Sequence, residues 1–396
     1  MAGKVSPITP SVLEWAVAED GRTTQQIADA AKVDVATLDE WMHGESKPTV
    51  GQVTLLADRL RRPRSMFFLP APPQAATLPA RFRHPPGDSR QVSTASRRRV
   101  RQARQIQSVL TDALAASDPV EVPRFVVGHS TPDAAAAKVR DWLGVTDAEQ
   151  ESWRDDYEGM NRWRAAIESR GIFVFALEIG EPAQRNRPRL AGTDGAPDVR
   201  GFSAWDNHAP MIVMNSRRVN PAARSFTLGH ELGHLVARED AACIDTAIGP
   251  EFPEPVERWC EEFGAALLMP RPAVNLWAQR RRLSPESATL EDVTAMMRRF
   301  RASARACALR VIDLGYAARS LYAAVLSAFR PVEPLPDAKK KEGSDPRSVL
   351  RLRQFGPRAL ETVFRDVAPI EALSILRITV PDARELAAQV PSAAGI

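Results

Sequence analysis

Residues 225–240 read SFTLGHELGHLVARED, with two histidines four apart and a glutamate directly after the first. The stretch follows Asn220-Pro221, a good helix start: Asn serves as N-cap and Pro takes the first helical position. A helix from Ala222 to about Arg238 puts His230 and His234 on one face, one turn apart, where both imidazoles can reach a single metal ion. Glu231 lies about 100° further round. That position suits a base acting on water beside the metal better than a ligand. Leu228, Leu232 and Leu235 form the opposite face and anchor the helix in a core. Gly233 weakens a helix by roughly 1 kcal/mol relative to Ala, so its presence predicts that another backbone packs close there. The chain has only six histidines, which makes two in one short motif a specific signal.

A tetrahedral site needs a third protein ligand, and the sequence offers three. Asp240, six residues past His234, could return to the metal through a sharp turn. That route normally needs glycine at the third position after the second histidine, where Ala237 stands. The second route is VERWCEEFGAALLMP (256–270), which reads as a helix with Glu257 and Glu261 one turn apart. Trp259, Phe263, Leu267 and Leu268 make it a buried helix, where unpaired carboxylates are costly. Glu257 is the favoured ligand, with Asp240 and Glu261 as alternatives. With Glu257 on the metal, Glu261 is placed to accept a proton from the distal nitrogen of a liganding histidine and fix its tautomer.

HELGH, followed 20 to 30 residues later by a helix of the form E-x-x-C/A-N-x-F-A-x-x-L-L-M-P, resembles the ImmA/IrrE family of metallopeptidases. Carried over by position, His230 and His234 match the zinc-binding histidines, Glu231 the catalytic glutamate and Glu257 the third ligand. Glu261 stands where the family usually has Asn or Asp, a longer side chain that still supplies an acceptor. The resemblance implies Zn2+, a gluzincin-like, thermolysin-like core with the active-site helix beside a small sheet, and an edge strand that aligns an extended substrate. APMIVMNS (209–216) sits where that edge strand is expected. The implied substrates are helix-turn-helix repressors, cut at one site to switch genes on in response to a stress or co-factor signal. His208, in AWDNHAP before the strand, is a candidate transition-state donor, with a surface or structural role as the alternative.

Residues 8–70 carry apolar side chains at helical spacing: Ile27 and Ala31, then Leu38, Trp41 and Met42, then Val53, Leu56 and Leu60. A short turn at Lys32 to Asp34 separates Thr23–Ala30 from Val35–His43. The pattern resembles the XRE-type helix-turn-helix unit of small phage repressors, fused to many longer ImmA/IrrE members, with Val35–His43 as recognition helix. Its charge argues against reading DNA. Residues 1–65 hold eight Lys/Arg and nine Asp/Glu, and the recognition helix offers Val35, Ala36, Asp39 and Glu40 where base-reading side chains would stand. A protein-docking or dimerising unit fits better. Basic charge concentrates instead in residues 81–104, eight arginines against Asp88, a block that can bind nucleic acid or lie along a solvated linker helix.

The rest of the organisation follows from composition. The stretch 71–117 is first proline-rich, then a long Arg-rich helix from Thr94 to about Ala116. Residues 118–330 alternate helices with strand-like runs at 171–179 and 209–216 and are expected to form the metallopeptidase domain. A second linker spans 331–346, and 347–396 reads as three short helices. The expectation is an α+β chain, mostly helical, with a zincin-like core and small sheet behind an all-α helix-turn-helix domain. No apolar run reaches the ~18 residues of a membrane span, and the N-terminus lacks the apolar core of a signal peptide. Cys243, Cys260 and Cys307 are too few and scattered for a disulfide framework. These features predict a cytoplasmic protein without membrane contact. The rival reading is a DNA-binding or toxin–antitoxin-type regulator whose metal domain senses rather than cleaves. An intact Glu231 speaks for an enzyme, because a pure binding module has no need of a carboxylate beside a metal.

Overall fold

The computed structural model describes residues 6–20, 22–60, 62, 64–72, 82–83, 94–179, 199–216, 220–238, 241–244, 255–329 and 345–389. They fall into two compact units, one of residues up to 72 together with 94–102, the other of the remainder. Seventeen helices and one small sheet appear among them, a mostly helical α+β fold. No described helix is long and apolar enough to cross a membrane. The linker expected at 331–346 lies outside the described residues except for its last two, as does most of the proline-rich stretch.

In the first unit α1 (Pro10–Asp20), α2 (Thr24–Ala31), α3 (Val35–His43) and α4 (Val50–Leu60) enclose a core of Leu13, Ile27, Leu38, Trp41, Val53, Leu56 and Leu60. Local signals set the boundaries. Thr23 and Gln26 form a capping box at the start of α2, Lys32 ends it in the left-handed conformation, and Asp34 caps α3 through the Thr37 amide. The arginine block has a structural use here. In α5 (Thr94–Ala113), Arg98 lies 3.8 Å from Asp20 and Arg101 donates to the Glu19 carbonyl, both at the end of α1. Burial, with Arg62 and Arg98 nearby, lowers the Arg101 pKa to about 10 despite the opposing pull of Asp20 and Glu19. Arg81, Arg83 and Arg90 lie outside the described side chains.

The second unit is built on α6 (Pro132–Leu143), α7 (Asp147–Ser152), α8 (Asp156–Glu168), α9 (Pro221–Ala237) and α10 (Pro255–Leu268). Four more helices follow, α11 (Arg271–Arg280), α12 (Leu290–Phe300), α13 (Ala304–Asp313) and α14 (Ser320–Ala328). Its sheet contains β2 (Phe173–Leu177), β3 (Val199–Ala204) and β4 (Met211–Asn215), extended by β5 (Ala241–Ile244) and the two-residue β1 (Phe82–Arg83). The order is β1-β5-β3-β4-β2; β4 runs parallel to β2 and antiparallel to β3, and β5 runs antiparallel to β3. β2 and β4 occupy the two runs that read as strands.

The expectation that 209–216 supplies an edge strand is overturned, because β4 is paired on both sides. All five of its residues are buried. A continuous apolar run such as MIVM suits an interior strand covered on both faces, whereas an exposed edge calls for alternation.

Polar struts hold the helices around α9. Arg140 of α6, almost fully buried, donates to the Leu267 carbonyl at 2.7 Å and to Gln150 Oε1 at 3.0 Å, while the Gln150 amide donates to Leu268 and Phe300 carbonyls at 2.9 Å each. Arg310 donates to the Met269 carbonyl at 3.0 Å. Together they satisfy the carbonyls at the end of α10, which have no partner within that helix. The C-terminal region forms α15 (Arg347–Asp366), α16 (Pro369–Leu376) and α17 (Val380–Gln389), three helices of which the first bends at Gly356-Pro357. α15 packs on β2, with Phe355 edge-on to Phe175 at 5.5 Å and the Arg353 carbonyl accepting from Arg164 at 2.7 Å.

Candidate metal centre

Asn220 caps α9 by accepting from the Ala223 amide at 2.7 Å, and Pro221 takes the first helical position. Leu228, Leu232 and Leu235 are buried in the main core, so the helix is fixed by its apolar face. Its C-terminal end is closed by Arg238, which adopts the left-handed conformation at φ 62°. The Arg238 guanidinium donates to the Leu235 and Val122 carbonyls at 3.0 Å each and stacks over the Trp205 ring, 3.4 Å from its centroid. Ala237 continues the helix where a metal-binding sharp turn would want glycine, and the chain returns as β5. Asp240 lies outside the described residues.

α10 lies against α9 closely enough that glycines decide the spacing. An added Cβ at Gly264 would stand 3.0 Å from the His230 backbone nitrogen, and one at Gly233 would stand 3.3 Å from the Cys260 Cα. Gly233 therefore has the close backbone neighbour its position in the helix predicts. This contact carries Glu257 across to the two histidines. The His230 and His234 Nε2 atoms are 3.1 Å apart, and Glu257 Oε2 and Oε1 lie 3.4 Å and 3.5 Å from them respectively. The three ligand atoms lie within 4.8 Å of one another, and no other such group of His, Cys, Asp and Glu is found among the described residues.

Burial and charge follow from this packing. His230 is 5% exposed, while His234 and Glu231 are fully buried. Burial opposes charge on His230, but the hydrogen bond to Glu257 and the nearby Glu261 and Glu231 outweigh it and raise its pKa to about 9. Burial likewise works against the Glu257 carboxylate, yet the two histidines hold its pKa far below the ordinary value. Without metal, the cluster is thus an ion pair with a proton where a cation can sit. Glu261 Oε1 is 3.7 Å from His230 Nδ1, the nitrogen turned away from Glu257. His208 lies in the turn between β3 and β4, its backbone N–H donating to Asp206 Oδ1 at 2.9 Å. No described contact joins it to His230, Glu231, His234 or Glu257.

Residues 168–311 match the family model of the IrrE N-terminal-like domain, Peptidase_M78. A comparison with curated proteins finds no match. The family match supports a relationship to ImmA/IrrE proteins and a metallopeptidase-type function for this part of the chain, and the His230, His234 and Glu257 group can hold a metal.

Sequence reasoning left several parts of the site unseen. Gly264 and Gly201 carry no chemical signal, because their function is to be small where two elements meet. An alanine at 264 meets backbone, which moves only with its helix, so Gly264→Ala is expected to cost about 1–3 kcal/mol, the usual range for overpacking. It should also weaken metal binding, since ligand distances tolerate only about 0.2 Å of error. Thermal melts with and without metal read both effects. A variant as stable as the parent, with an equal metal-induced shift, would show that the glycine contact does not set the site.

Proposed function

We propose that the chain is a zinc-dependent endopeptidase of gluzincin type that cleaves a helix-turn-helix repressor and so relieves repression. The observation that carries this reading is the convergence of His230 Nε2, His234 Nε2 and Glu257 with Glu231 buried beside them. Tetrahedral zinc with bonds of about 2.0–2.1 Å needs ligand atoms roughly 3.3–3.4 Å apart. The histidine nitrogens stand 3.1 Å apart, each with one of the two Glu257 oxygens 3.4 Å or 3.5 Å away, spacings close to that requirement, and the two-nitrogen, one-carboxylate donor set leaves a fourth position open. Zinc held there would supply Lewis acidity, making water a nucleophile near neutral pH and polarising a peptide carbonyl.

The remaining chemistry belongs to this chain's own residues. Glu231 accepts the proton of the attacking water and passes it to the leaving amine, a base-then-acid exchange that needs a carboxylate held close to the reacting atoms. Glu261 orients His230 from the far side of its ring. The fold of residues 8–70 suggests how a target is chosen: a repressor-like unit can pair with a like unit in its substrate. Incubating the zinc-loaded chain with a panel of helix-turn-helix repressors and reading the products by mass spectrometry tests this. A single cut that depends on Glu231 is expected, and deletion of residues 1–70 should abolish it. Cleavage unchanged by the deletion would remove the recruiting role of the first unit.

The raised pKa of His230 gives a pH signature. Metal must displace the proton that Glu257 and Glu261 hold on His230. Zinc affinity should therefore climb about tenfold per pH unit from about 7 to 9 and flatten above. The stability that the protonated pair lends the metal-free fold runs the other way. It is present in full below about 6.5 and is lost as pH rises through about 9. Chelator competition across this range measures the first effect. A pH-independent affinity would contradict the assignment of His230.

A further inference from the structure

Two glycine contacts hold α9, one toward α10 and one toward the sheet. On the α10 side an added Cβ at Gly264 would stand 3.0 Å from the His230 backbone nitrogen. On the sheet side the contact is Gly201 of β3. A Cβ there would stand 2.6 Å from Thr227 Cγ2, 2.9 Å from the Val213 carbonyl oxygen and 3.2 Å from Glu231 Oε1. The first two distances are shorter than side-chain atoms tolerate, so only bare backbone fits. Thr227 and Glu231 lie one turn apart on the same face of α9, and Gly201 occupies the notch between them. The Thr227 methyl is held in place because Thr227 Oγ1 donates to the Ala223 carbonyl at 3.2 Å.

β3 is also irregular at this point. Val199 pairs with Ile244 and Gly201 with Cys243, two residues of β3 against one of β5. Such a bulge bends a strand locally, and bulges recur beside active sites, where they re-aim what the strand presents. A glycine inside a strand weakens it and marks a close approach by another group. Both irregularities fall where β3 meets the Glu231 carboxylate.

The two contacts divide the site between them. His230 and Glu257 meet across the α9–α10 contact, so Gly264 sets the spacing of the ligands. Glu231 meets β3 instead. We propose that Gly201 is a positioning residue for proton transfer: by carrying no side chain it seats the Glu231 carboxylate against β3 and fixes it relative to the metal ligands. The proposal rests on Glu231 as the base named above and adds the strand residue that places it. Misplacing a reacting group by about 1 Å can cost about 10²-fold in rate.

The test compares the full-length parent with Gly201→Ala and with the double variant Gly201→Ala/Thr227→Ser. Serine at 227 keeps the hydroxyl but removes the methyl, the nearest obstacle to the new Cβ, and leaves that Cβ against Glu231. Each protein is assayed for cleavage of the helix-turn-helix repressor that the parent cuts, titrated with zinc against a chelator, and crystallised. The expected result is a kcat about 10²-fold lower in both variants, with KM and zinc affinity unchanged. The crystal structures should show the Glu231 carboxylate displaced by about 1 Å while His230, His234 and Glu257 keep their places. Parental kcat in the double variant marks crowding by Thr227 alone and overturns the proposal. A zinc affinity that falls in step with kcat overturns it, as does a Glu231 carboxylate that has not moved. If neither variant folds, the glycine serves folding only and the proposal is likewise overturned. A parent that cuts no repressor fails at the reading of Glu231 as base, whereas the crystal comparison still decides whether Gly201 places its carboxylate.

Discussion

Replacing Glu231 with glutamine is expected to lower peptide-bond cleavage by about 10²–10⁴-fold, the range general-base groups contribute, while leaving zinc bound. Glutamine has the shape of the carboxylate but cannot accept the proton of the attacking water. Its fit is assured by the surroundings: Glu231 is fully buried, and Gly201 opposes it as bare backbone, leaving room that a larger residue would take. The carboxylate is also one of the groups that raise the His230 pKa, so the variant should load zinc at slightly lower pH. Cleavage assays beside metal analysis separate the two functions. Activity unchanged in a zinc-loaded Glu231→Gln protein would move the base elsewhere and dismantle the mechanism.

Glu257→Ala should act on the metal instead. Glu257 is the candidate ligand that α10 brings to the group, and it approaches both histidines at once. Its removal leaves two neutral donors on one helix face. We expect zinc affinity to fall on the order of 10³-fold or more, beyond the 10–100-fold typical of an outer hydrogen-bond partner. It also strips His230 of the carboxylate that chiefly raises its pKa, so the steep pH dependence of binding should flatten below pH 9. Competition titrations read both. Retention of parental affinity would transfer the third ligand to another carboxylate.

The helix that carries His230 and His234 was legible because its histidine spacing and its buried face use different residues of one periodic pattern. His230, Glu231 and His234 have a fixed spacing, Leu228, Leu232 and Leu235 mark the buried face, and Asn220-Pro221 starts the helix. Gly233 announced a close neighbour through its cost to the helix, and the neighbour is Cys260 of α10. β3 escaped notice because VRGFSA mixes charge, glycine and a hydroxyl and so lacks the apolar pattern of a strand, although five of its six residues are buried. The edge-strand expectation failed for a related reason: β4 reads as apolar throughout, and that marks a strand enclosed on both sides. Arg140, Gln150 and Arg310 look like ordinary surface residues in a sequence, since their partners are carbonyls more than forty positions away. The arginine block, which in sequence suits nucleic acid or a solvated linker helix, gave no sign that Arg98 and Arg101 meet the end of α1.

The most direct test of the metal centre is the zinc content of the purified full-length chain after equilibration with zinc and removal of loosely bound ion. One zinc per chain, displaced only by a strong chelator, is the predicted result. A chain that retains none, although folded, would contradict the centre formed by His230, His234 and Glu257.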